Sequence, residues 1–510
     1  MMKFAIGAIL AVAIPLAAVA AAPLEIAPMF GTGAVLQRDV ELPIWGRGEP
    51  GAKIEVSLDR KGGRAGDTKW SFSCVSETVV DTDGTWRVNL PAQLASDHLE
   101  KPTTMRIRQS GKGGGSLVVK DLLFGDVWIC SGQSNMDMNY TWGLGRGKED
   151  IETNRYERIR LFNDKDALSA TPLACLTTNV AWSVCDFEHA KTFSACGFFF
   201  GQALYKSLPD IPIGLIEASW NGSPICTWMS AKAFCGVNDK FAREYKTAMD
   251  KLASGGKLSC NVPASCYNAM IHPLFPMALK GAIWYQGCSD FRHINLYGDL
   301  FRALAADWRS HFTHPDGFPI YLAQLAGTGM TNAKPINTGW AEMRWEQMKI
   351  GERVPLCATA VLIDTGEMPD VHAKDKKTAG ERLARLALVH TYGFTDLVEN
   401  GPIPVGLEQA AKSGTVTDGA PSFIVRFKFS DGLKTSDGKA LRGFQLTNGK
   451  DAAFIDAKIV VLDGQPAVQT VPASLSFVPT ALRYAWDEMP DANLSNVTGI
   501  PCGPFELPLN

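Results

Sequence analysis

Residues 127–136 read VWICSGQSNM, an apolar run that stops at a cluster of small polar residues. The first part, VWIC, has the character of a strand that enters a core. The part that follows, SGQSN, brings two hydroxyls and two amides beside a glycine. Such a cluster is typical of a turn with a helix cap, and equally of a nucleophile on a tight strand-to-helix turn. The two interpretations make different demands on the rest of the chain.

Further apolar runs lie along the chain, namely IPIGLIEASW, LKGAIWYQG, FPIYLAQLAG and CATAVLIDTG. They lack polar alternation, which is the pattern of strands buried on both faces. They alternate with helix-like stretches such as SACGFFFGQALYKSL and KDKKTAGERLARLALVH. This texture predicts an α/β domain with a parallel sheet over residues 119–395.

Short strand patterns flank this domain on both sides. Residues 21–118 contain VELPIWGRG, AKIEVSLD and GTWRVNLPA, in which apolar and polar residues alternate between Gly, Pro and Asp turns. Residues 396–510 return to such pieces, among them PSFIVRFKFS and DAKIVVLDG. The regular spacing of turn residues between these short strands predicts a β-sandwich-like domain at each end.

The composition is that of a globular protein with two or three domains. The chain has 510 residues, of which 46% are hydrophobic and 20% are charged, and its formal net charge is −3. These values argue against a disordered chain. The sequence contains no Lys/Arg block or basic stripe, which argues against a nucleic-acid partner.

The N-terminus has the layout of a secretory signal peptide. Lys3 precedes an apolar run over 4–18, and the residues AVA at 18–20 supply an A-x-A cleavage pattern. We expect residues 1–20 to be removed and the mature protein to be secreted or lysosome-like, or periplasmic in a bacterial host; a retained anchor is the alternative. No later segment offers about 18 uninterrupted apolar residues, so no membrane contact is expected after removal of the signal.

The chain has twelve cysteines, and those of its middle third contain no CxxC pair. Because zinc sites usually show close cysteine pairs, the cysteines predict disulfide bonds rather than a metal site. N-x-S/T sequons, which accept glycans in hosts that glycosylate proteins, begin at Asn139, Asn221, Asn493 and Asn496.

The apolar runs end in loops that carry reactive or hydrogen-bonding groups. VWIC leads to Ser134, IPIGLIEASW to Gly222, and GAIWY to Gln286. CATAVLID leads to Asp370 and His372. Because the loops after the carboxyl ends of strands converge on one crevice in an open α/β sheet, we expect these groups along one edge.

This set suits acyl transfer. A serine hydroxyl is a poor nucleophile at neutral pH and needs a base, usually histidine, so Ser134 and His372 are the predicted pair. An oxyanion requires donors, which the backbone N–H groups of Ser134 and Gly222 and the side-chain amide of Gln286 supply. The sequence has no HExxH, P-loop or dinucleotide motif, so it predicts a site without metal or cofactor.

Each of these residues also has a purely structural interpretation. Ser134 lies in a G-x-S-x pattern, but the match to G-x-S-x-G fails because Met136 occupies the last position, so Ser134 also suits a turn or cap. Gly222 suits any turn, Gln286 any loop, and His372 the cap of the helix that follows. Their joint placement after separate buried strands favours the catalytic interpretation.

The same segments carry a family resemblance. FGDVWICSGQSNM, GLIEASWNGSPI, YNAMIHPL, MALKGAIWYQG and DVHAKDKKTAGERLA resemble the sialate O-acetylesterase family of SGNH-type serine hydrolases. The likeness extends to VLQRDVELPIWGRGEPGAKIEV near the start and ALRYAW near the end. It implies an α/β/α hydrolase core with flanking β-domains. The implied activity is a serine esterase that removes O-acetyl groups from sugars, typically at the 9-position of sialic acid.

The resemblance also implies roles for single residues. Ser134 matches the family nucleophile and His372 its base, while Gly222 and Gln286 match the second and third oxyanion positions. The chain departs from the family in two places. Cys288 stands where the family usually has Glu after W-Y-Q-G, and the usual S-W-G-G-T here reads SWNGS. A disulfide at Cys288 is one conceivable substitute for the carboxylate.

The group that orients the base has three candidates. Asp370 lies two residues before His372 and ranks first because of this proximity. A backbone carbonyl, which would leave a Ser–His dyad, and Asp364 are the others. His272, in NAMIHPL, is a rival base, but its place before Pro273 and a helix-like stretch favours a structural role.

Two residues are candidates for substrate binding. Trp220 suits stacking on a sugar ring, although tryptophan in strand-like runs is more often core. Arg344, in AEMRWEQ, suits a carboxylate contact through its guanidinium fork, and a surface ion pair explains it equally. The expected ligand is an acetylated sugar, free or glycan-linked: O-acetyl sialate first, another acetylated carbohydrate such as xylan or xyloglucan second. A carbohydrate-binding protein with a lapsed esterase site is the alternative of a different class.

Overall fold

The computed structural model describes residues 23–509 apart from 63–69, 95–98, 100, 112–113, 154, 179, 330–338, 411–421 and 472–473. The predicted signal peptide at 1–20 lies outside the described residues. No helix in the described ranges has the length and apolar character needed to cross a membrane.

The described chain folds into strands and α-helices with the following bounds. The strands are β1 (Glu25–Ile26), β2 (Val35–Gln37), β3 (Leu42–Arg47), β4 (Lys53–Gly62), β5 (Trp70–Val79), β6 (Thr85–Leu90), β7 (Thr103–Ser110), β8 (Gly115–Gly132), β9 (Tyr156–Asn163), β10 (Trp182–Cys185), β11 (Ile213–Ser219), β12 (Gly281–Tyr285), β13 (Ile320–Ala323), β14 (Cys357–Ala360), β15 (Ile403–Gln409), β16 (Phe423–Lys428), β17 (Lys434–Thr435), β18 (Phe444–Thr447), β19 (Ala452–Ile455), β20 (Ala457–Leu462), β21 (Gln465–Thr470), β22 (Ala481–Tyr484), β23 (Leu494–Ser495) and β24 (Phe505–Pro508). The helices are α1 (Ser134–Asp137), α2 (Lys148–Thr153), α3 (Phe187–Ala190), α4 (Ala195–Ser207), α5 (Ala231–Val237), α6 (Asp239–Ala253), α7 (Ile294–Arg309), α8 (Trp340–Arg353) and α9 (Lys376–His390).

The centre of the molecule is a sheet with the strand order β10-β9-β11-β8-β12-β13-β14. Neighbouring strands from β9 to β14 are parallel, and β10 at the edge is antiparallel. Strands β11 to β14 are buried along their whole length, as their unbroken apolar runs predict. Because β9 and β11 lie on one side of β8 and the later strands on the other, the strand order reverses at β8, where α/β folds form their crevice.

Two groups of helices cover this sheet. Helices α4 and α9 pack against each other and contact β11, β13 and β14. Helix α7 packs on α5 and α8, and α8 also contacts β13 and β14. This arrangement is the predicted hydrolase core.

Strand β8 connects the N-terminal sheets to the core without a break. Over its 18 residues it pairs first with β7, antiparallel, and then with β11 and β12, parallel. The predicted domain boundary between 118 and 119 therefore falls inside a strand. The N-terminal β-domain is continuous with the catalytic sheet through hydrogen-bonded backbone.

The C-terminal residues form two four-stranded antiparallel sheets, β15-β16-β21-β20 and β19-β18-β22-β24. Their apolar side chains form a second core that contains Val425, Phe444 and Tyr484. Met348 of α8 joins this core, so the C-terminal β-domain packs on the catalytic domain. The chain is thus a mixed α/β protein with antiparallel β-sheets at both ends, which confirms the predicted fold class.

The cysteines differ from the expectation. All twelve lie in the described residues and are free thiols, so the predicted disulfide bonds, including one at Cys288, do not occur in the structure. Two sequons are also internal, since Asn493 is 2% exposed and Asn496 is 0% exposed. Their amides donate to Ala440 O and Asn400 O, respectively, so neither side chain is open to a glycan in the folded protein.

Candidate active site

The carboxyl ends of β8, β11 and β12 stop at the same level of the sheet. Gly132, at the end of β8, pairs with Ser219 of β11 and with Tyr285 of β12. It has a φ of +138°, and a Cβ there would lie 2.2 Å from the Tyr285 carbonyl oxygen, so only glycine fits. The loops that follow the three strands therefore leave the sheet side by side.

Ser134 is the first residue of α1, directly after this turn. The N–H of Gln133 donates to Tyr285 O at 3.1 Å, which ties the turn to β12. Ser134 is 8% exposed, and its backbone N–H donates to no described residue. The residue thus presents a hydroxyl and an unpaired N–H at the carboxyl edge of the sheet.

His372 lies on the loop after β14, and Asp370 lies against it. Nδ1 of His372 is 3.1 Å from Asp370 Oδ1, which also accepts the backbone N–H of His372 at 2.9 Å. With the Nδ1 proton donated to this carboxylate, Nε2 carries the free lone pair. The rival acid, Asp364, instead pairs with both terminal nitrogens of Arg382, at 2.6 and 2.7 Å. The structure therefore places Asp370, and not Asp364, beside the base.

One hydrogen bond joins the nucleophile segment to the base segment. Nδ2 of Asn135, the neighbour of Ser134, donates to the carbonyl of Val371, the neighbour of His372, at 3.0 Å. The hydrogen bonds of the described residues include none between Ser134 Oγ and the His372 ring. Catalytic hydrogen bonds often form only when substrate binds, so this direct contact stays a prediction.

Gly222 lies in the loop after β11 with a φ of +68°, a conformation that favours glycine. A Cβ built there would meet no atom within 4 Å. Its carbonyl accepts from Ser289 Oγ at 3.0 Å, while its N–H has no acceptor among the described residues. The backbone of Gly222 thus borders open space, and its N–H is available as an oxyanion donor within the described residues.

The amide of Gln286 does not match the predicted third oxyanion donor. Gln286 is fully buried, and its Nε2 donates to Ser223 O at 3.2 Å and to Asp290 Oδ2 at 2.5 Å. Its Oε1 accepts from the Tyr297 hydroxyl at 2.8 Å. Because both N–H groups are occupied, the prediction disagrees with the structure, and Gln286 instead braces the loop after β12. Burial raises the pKa of its partner Asp290 to about 6.

A different glutamine keeps an unpaired amide nitrogen at this edge. Oε1 of Gln133 accepts from the N–H of Gly287 at 3.1 Å and of Ser289 at 3.3 Å. Its Nε2 has no partner within the described residues. Gln133 directly precedes Ser134 in the SGQSN cluster, and this position was the one signal in the sequence that could have drawn attention to it.

Arg344 does not face a substrate. The side chain is 0% exposed, and its guanidinium donates to the backbone carbonyls of Leu325, Ala326, Asp487 and Glu488. Burial lowers the pKa of Arg344 to about 9. The prediction of a substrate carboxylate contact is therefore wrong, because the guanidinium is buried and its N–H groups bind the backbone of two loops.

Aromatic side chains border the crevice. Trp220 is partly buried, and its backbone N–H donates to Gly132 O at 3.2 Å, which places the residue beside the nucleophile turn. Its role in stacking on a sugar stays a prediction. Trp142 is 39% exposed, and its ring meets the His372 ring edge-on with centroids 5.6 Å apart. Trp142 follows the SGQSN cluster closely along the chain.

The rival base, His272, has the structural role that the sequence favours. Its Nδ1 lies 2.8 Å from Leu173 O. Its ring packs edge-on against Tyr267 and Phe275. The residue is held within a 3-10 turn that is tied to the loop before β10.

Lys376 is a buried cation beneath the nucleophile segment. It is 0% exposed, its Nζ donates to Asn135 Oδ1 at 2.5 Å, and it lies 4.9 Å from the centroid of the Tyr285 ring. Burial lowers the pKa of Lys376 to about 8, against the opposing influence of Cys196 and Cys288. Because Asn135 also binds Val371, the lysine fixes the amide that connects nucleophile and base segments. Its place in DVHAKDKK gave no sign of this partner.

We expect the free energy of unfolding to depend on pH through the titration of Lys376. Its folded pKa of about 8 lies below the ordinary 10.5, so between these values the unfolded chain binds a proton that the folded protein lacks. The contribution of this residue to the free energy of unfolding therefore rises with pH across that window, by roughly 1 kcal/mol per pH unit. Urea unfolding of wild type and Lys376→Met at pH 7, 8, 9 and 10 measures this contribution, as the difference between their free energies of unfolding.

The matched control is Lys377→Met, which removes a neighbouring ammonium that pairs with Asp150 at 2.6 Å. A difference between wild type and Lys376→Met that stays constant from pH 7 to 10 would contradict the expected titration.

The carboxylates and imidazoles of this edge do not form a metal site. Within the part of the chain that the structure describes, no group of three or more His, Cys, Asp and Glu side chains is arranged to hold a metal ion.

Comparisons with known proteins match the same region. The carbohydrate esterases described as sialic acid-specific acetylesterases match residues 124–389 of the chain. The sialate O-acetylesterases of Pongo abelii and Homo sapiens are each 30% identical to it, over 88% of this chain and 84% of their own. The solved structure of a carbohydrate acetylesterase from Xanthomonas citri is 30% identical, with a TM-score of 0.76 over 95% of this chain and 99% of that one. The matched residues include every loop of the crevice.

Proposed function

The chain belongs to the sialic acid-specific acetylesterase family of carbohydrate esterases, and from this premise we propose that it hydrolyses O-acetyl esters of sialic acids through an acetyl-Ser134 intermediate. The observation that carries the proposal is the hydrogen bond from Asn135 to Val371, which brings the segment of Ser134 to the segment of His372. The Asp370–His372 pair supplies the base and its orienting acid. The N–H groups of Ser134 and Gly222, which have no acceptor among the described residues, supply the oxyanion donors.

Acylation starts with attack of Ser134 Oγ on the acetyl carbonyl carbon, while the hydroxyl proton passes to Nε2 of His372. The Asp370 carboxylate holds the ring with its other proton on Nδ1 and stabilises the imidazolium. The oxyanion accepts from the N–H groups of Ser134 and Gly222, and one such donor typically contributes about 3 kcal/mol. The bond between the carbonyl carbon and the sugar oxygen then breaks, and the imidazolium returns its proton to that oxygen.

Deacylation repeats these steps with water. Nε2 of His372 takes a proton from a water molecule as its oxygen attacks the acetyl carbon on Ser134. The tetrahedral intermediate collapses, the bond from the carbonyl carbon to Oγ breaks, and Oγ recovers a proton from the imidazolium. Acetate leaves and the free serine is restored.

A second candidate is an esterase for another acetylated carbohydrate, such as xylan or xyloglucan. It is favoured by the Xanthomonas citri structure, which is described more broadly as a carbohydrate acetylesterase. Acetate release from 9-O-acetyl sialic acid and from acetylated xylan, at equal concentrations of acetyl groups, separates the two. We expect kcat/KM for the sialate to be at least about tenfold higher. A preference for xylan would leave the esterase mechanism intact and select the second candidate.

We further propose that residues 1–20 direct the chain into the secretory pathway. The support is the order of Lys3, the apolar run at 4–18 and the small residues at 18–20. A mature protein that begins at residue 21, as read by N-terminal sequencing, is the expected result, and an intact N-terminus would contradict it.

A further inference from the structure

A cavity of about 340 Å³ lies where the start of α8 meets the C-terminal β-domain. Trp340 and Glu342 of α8 form one wall, Phe454 of β19 another, and Arg483 and Trp486 a third. The volume falls at the lower end of ligand sites, which span about 300–1,000 Å³. None of these residues belongs to the catalytic groups described above.

Two polar atoms of this lining have no partner. Nε1 of Trp486 and Oε2 of Glu342 are buried, and neither forms a hydrogen bond with any described residue. Buried groups of this kind are rare because an unmet donor or acceptor costs free energy. Two side chains of the lining thus carry an unmet donor and an unmet acceptor, which a ligand with both kinds of group can satisfy once they turn toward it.

An aromatic surface completes the lining. The Phe454 side chain is 71% exposed, which is high for a large apolar side chain on a strand. The Trp486 ring is covered on one face by Arg483, whose guanidinium carbon lies 4.7 Å from the ring centroid. Aromatic faces beside a few fixed polar groups are the chemistry that recognises a sugar ring, whose C–H face is apolar and whose edge carries hydroxyls.

The cavity wall is connected to the catalytic crevice. The carbonyl of Glu488, at the cavity, accepts from the N–H of Thr328 at 3.0 Å. The hydroxyl of the same Thr328 donates to the carbonyl of Asp370 at 3.1 Å. Arg344 donates to Asp487 O and Glu488 O from the opposite side. A single residue, Thr328, therefore separates the wall of the cavity from the residue that orients the base.

We propose that this cavity is a second carbohydrate subsite, which holds a sugar unit of the glycan that carries the acetylated residue. On binding, the side chains of Glu342 and Trp486 turn toward the cavity. One sugar hydroxyl then donates to Oε2 of Glu342, another accepts from Nε1 of Trp486, and the ring lies on Phe454. The identity of this sugar as part of the substrate rests on the proposed function, whereas the binding of a sugar to the cavity does not.

The test compares substrates of different length in three variants. Phe454→Ala removes the exposed ring, and Trp486→Phe keeps a ring but removes the Nε1 donor. Val461→Ala, on a side chain that is 69% exposed outside the cavity, is the matched control. Kinetics are measured with 9-O-acetyl sialyllactose, free 9-O-acetyl sialic acid and p-nitrophenyl acetate. We expect the first two variants to raise KM for the trisaccharide about 3- to 10-fold relative to the two small substrates, without a matching fall in kcat.

Binding is measured separately from turnover, by saturation-transfer NMR with unacetylated sialyllactose and Ser134→Ala protein. Contacts that disappear when Phe454→Ala is added support the subsite. The subsite is overturned if the ratio of KM for the trisaccharide to KM for the small substrates is unchanged in the variants. It is also overturned if the variants lose activity equally on all three substrates, or if Phe454→Ala leaves the NMR contacts intact. A wild type that hydrolyses none of the esters would refute the proposed function, and the NMR result would still decide the subsite.

Discussion

Ser134→Ala is expected to lower kcat for p-nitrophenyl acetate by at least about 10³-fold, because it removes the oxygen that forms the acyl bond. The remaining N–H groups and His372 can still bind the ester and polarise its carbonyl, so a small residual rate is expected. Steady-state release of p-nitrophenol measures the effect. Intact-protein mass spectrometry of wild type after rapid quench should show an added acetyl group that the variant lacks.

The matched control is Ser131→Ala. Ser131 lies in β8, directly before Gly132, and is fully buried. Its hydroxyl has no partner among the described residues, so its removal breaks no hydrogen bond there. Turnover of this variant should stay close to that of wild type. If Ser134→Ala were as active as wild type, another residue would be the nucleophile. If wild type itself were inert, the carbohydrate-binding alternative with a lapsed site would replace the esterase.

His372→Gln is expected to lower kcat by a similar factor, at least about 10³-fold, because it removes the base that accepts the Ser134 proton. Glutamine keeps much of the polar volume, and its amide nitrogen can still donate to Asp370. It offers no basic nitrogen near neutral pH, so the loss reports proton transfer rather than a collapsed loop. The kcat of the variant, and its circular dichroism spectrum as a check on folding, are the measurements.

His272→Gln provides the comparison for that result. His272 is the second histidine that the sequence suggests as a base, but its Nδ1 is bound to the carbonyl of Leu173. We expect this variant to lose some stability and to keep turnover within about tenfold of wild type. The reverse outcome, with His272→Gln inert and His372→Gln active, would exchange the roles of the two histidines and refute the mechanism.

The strands of the catalytic core could be predicted from residue type alone. IPIGLIEASW and GAIWY have no polar alternation, and they become the fully buried β11 and β12. A strand buried on both faces must carry such a run, so the pattern has few other meanings. The position of Ser134 and His372 at one edge then follows from the parallel order of the strands, which the sequence implies through the helices between them.

The partners of buried polar groups could not be predicted. Gln286 looks like a free loop amide in sequence, yet Asp290 and Ser223 occupy both of its N–H groups. Arg344 suits a surface ion pair in sequence, yet it is buried, and residues 487 and 488 of the C-terminal β-domain supply carbonyls to it. Such partners come from distant parts of the chain, and the local pattern around either residue does not encode them.

The cysteine count misled for a related reason. Twelve thiols in a chain with a predicted leader suggest an oxidised protein, but the fold uses buried cysteines such as Cys130, Cys196 and Cys266 as small apolar side chains. Burial raises the pKa of the Cys196 and Cys266 thiols to about 12, so they are poor sources of thiolate. Packing, rather than pairing, accounts for these residues.

The continuity of β8 limits how modular this enzyme can be. One end of the strand belongs to the N-terminal sheets and the other end delivers the backbone to Gly132 and the nucleophile turn. If one end of β8 unfolds, the strands that pair with it lose their hydrogen-bond partners and the other end is destabilised. Heat or denaturant should therefore unfold both regions in a single cooperative transition. The N-terminal β-domain is consequently not a detachable accessory. It is part of the scaffold that supports the catalytic serine.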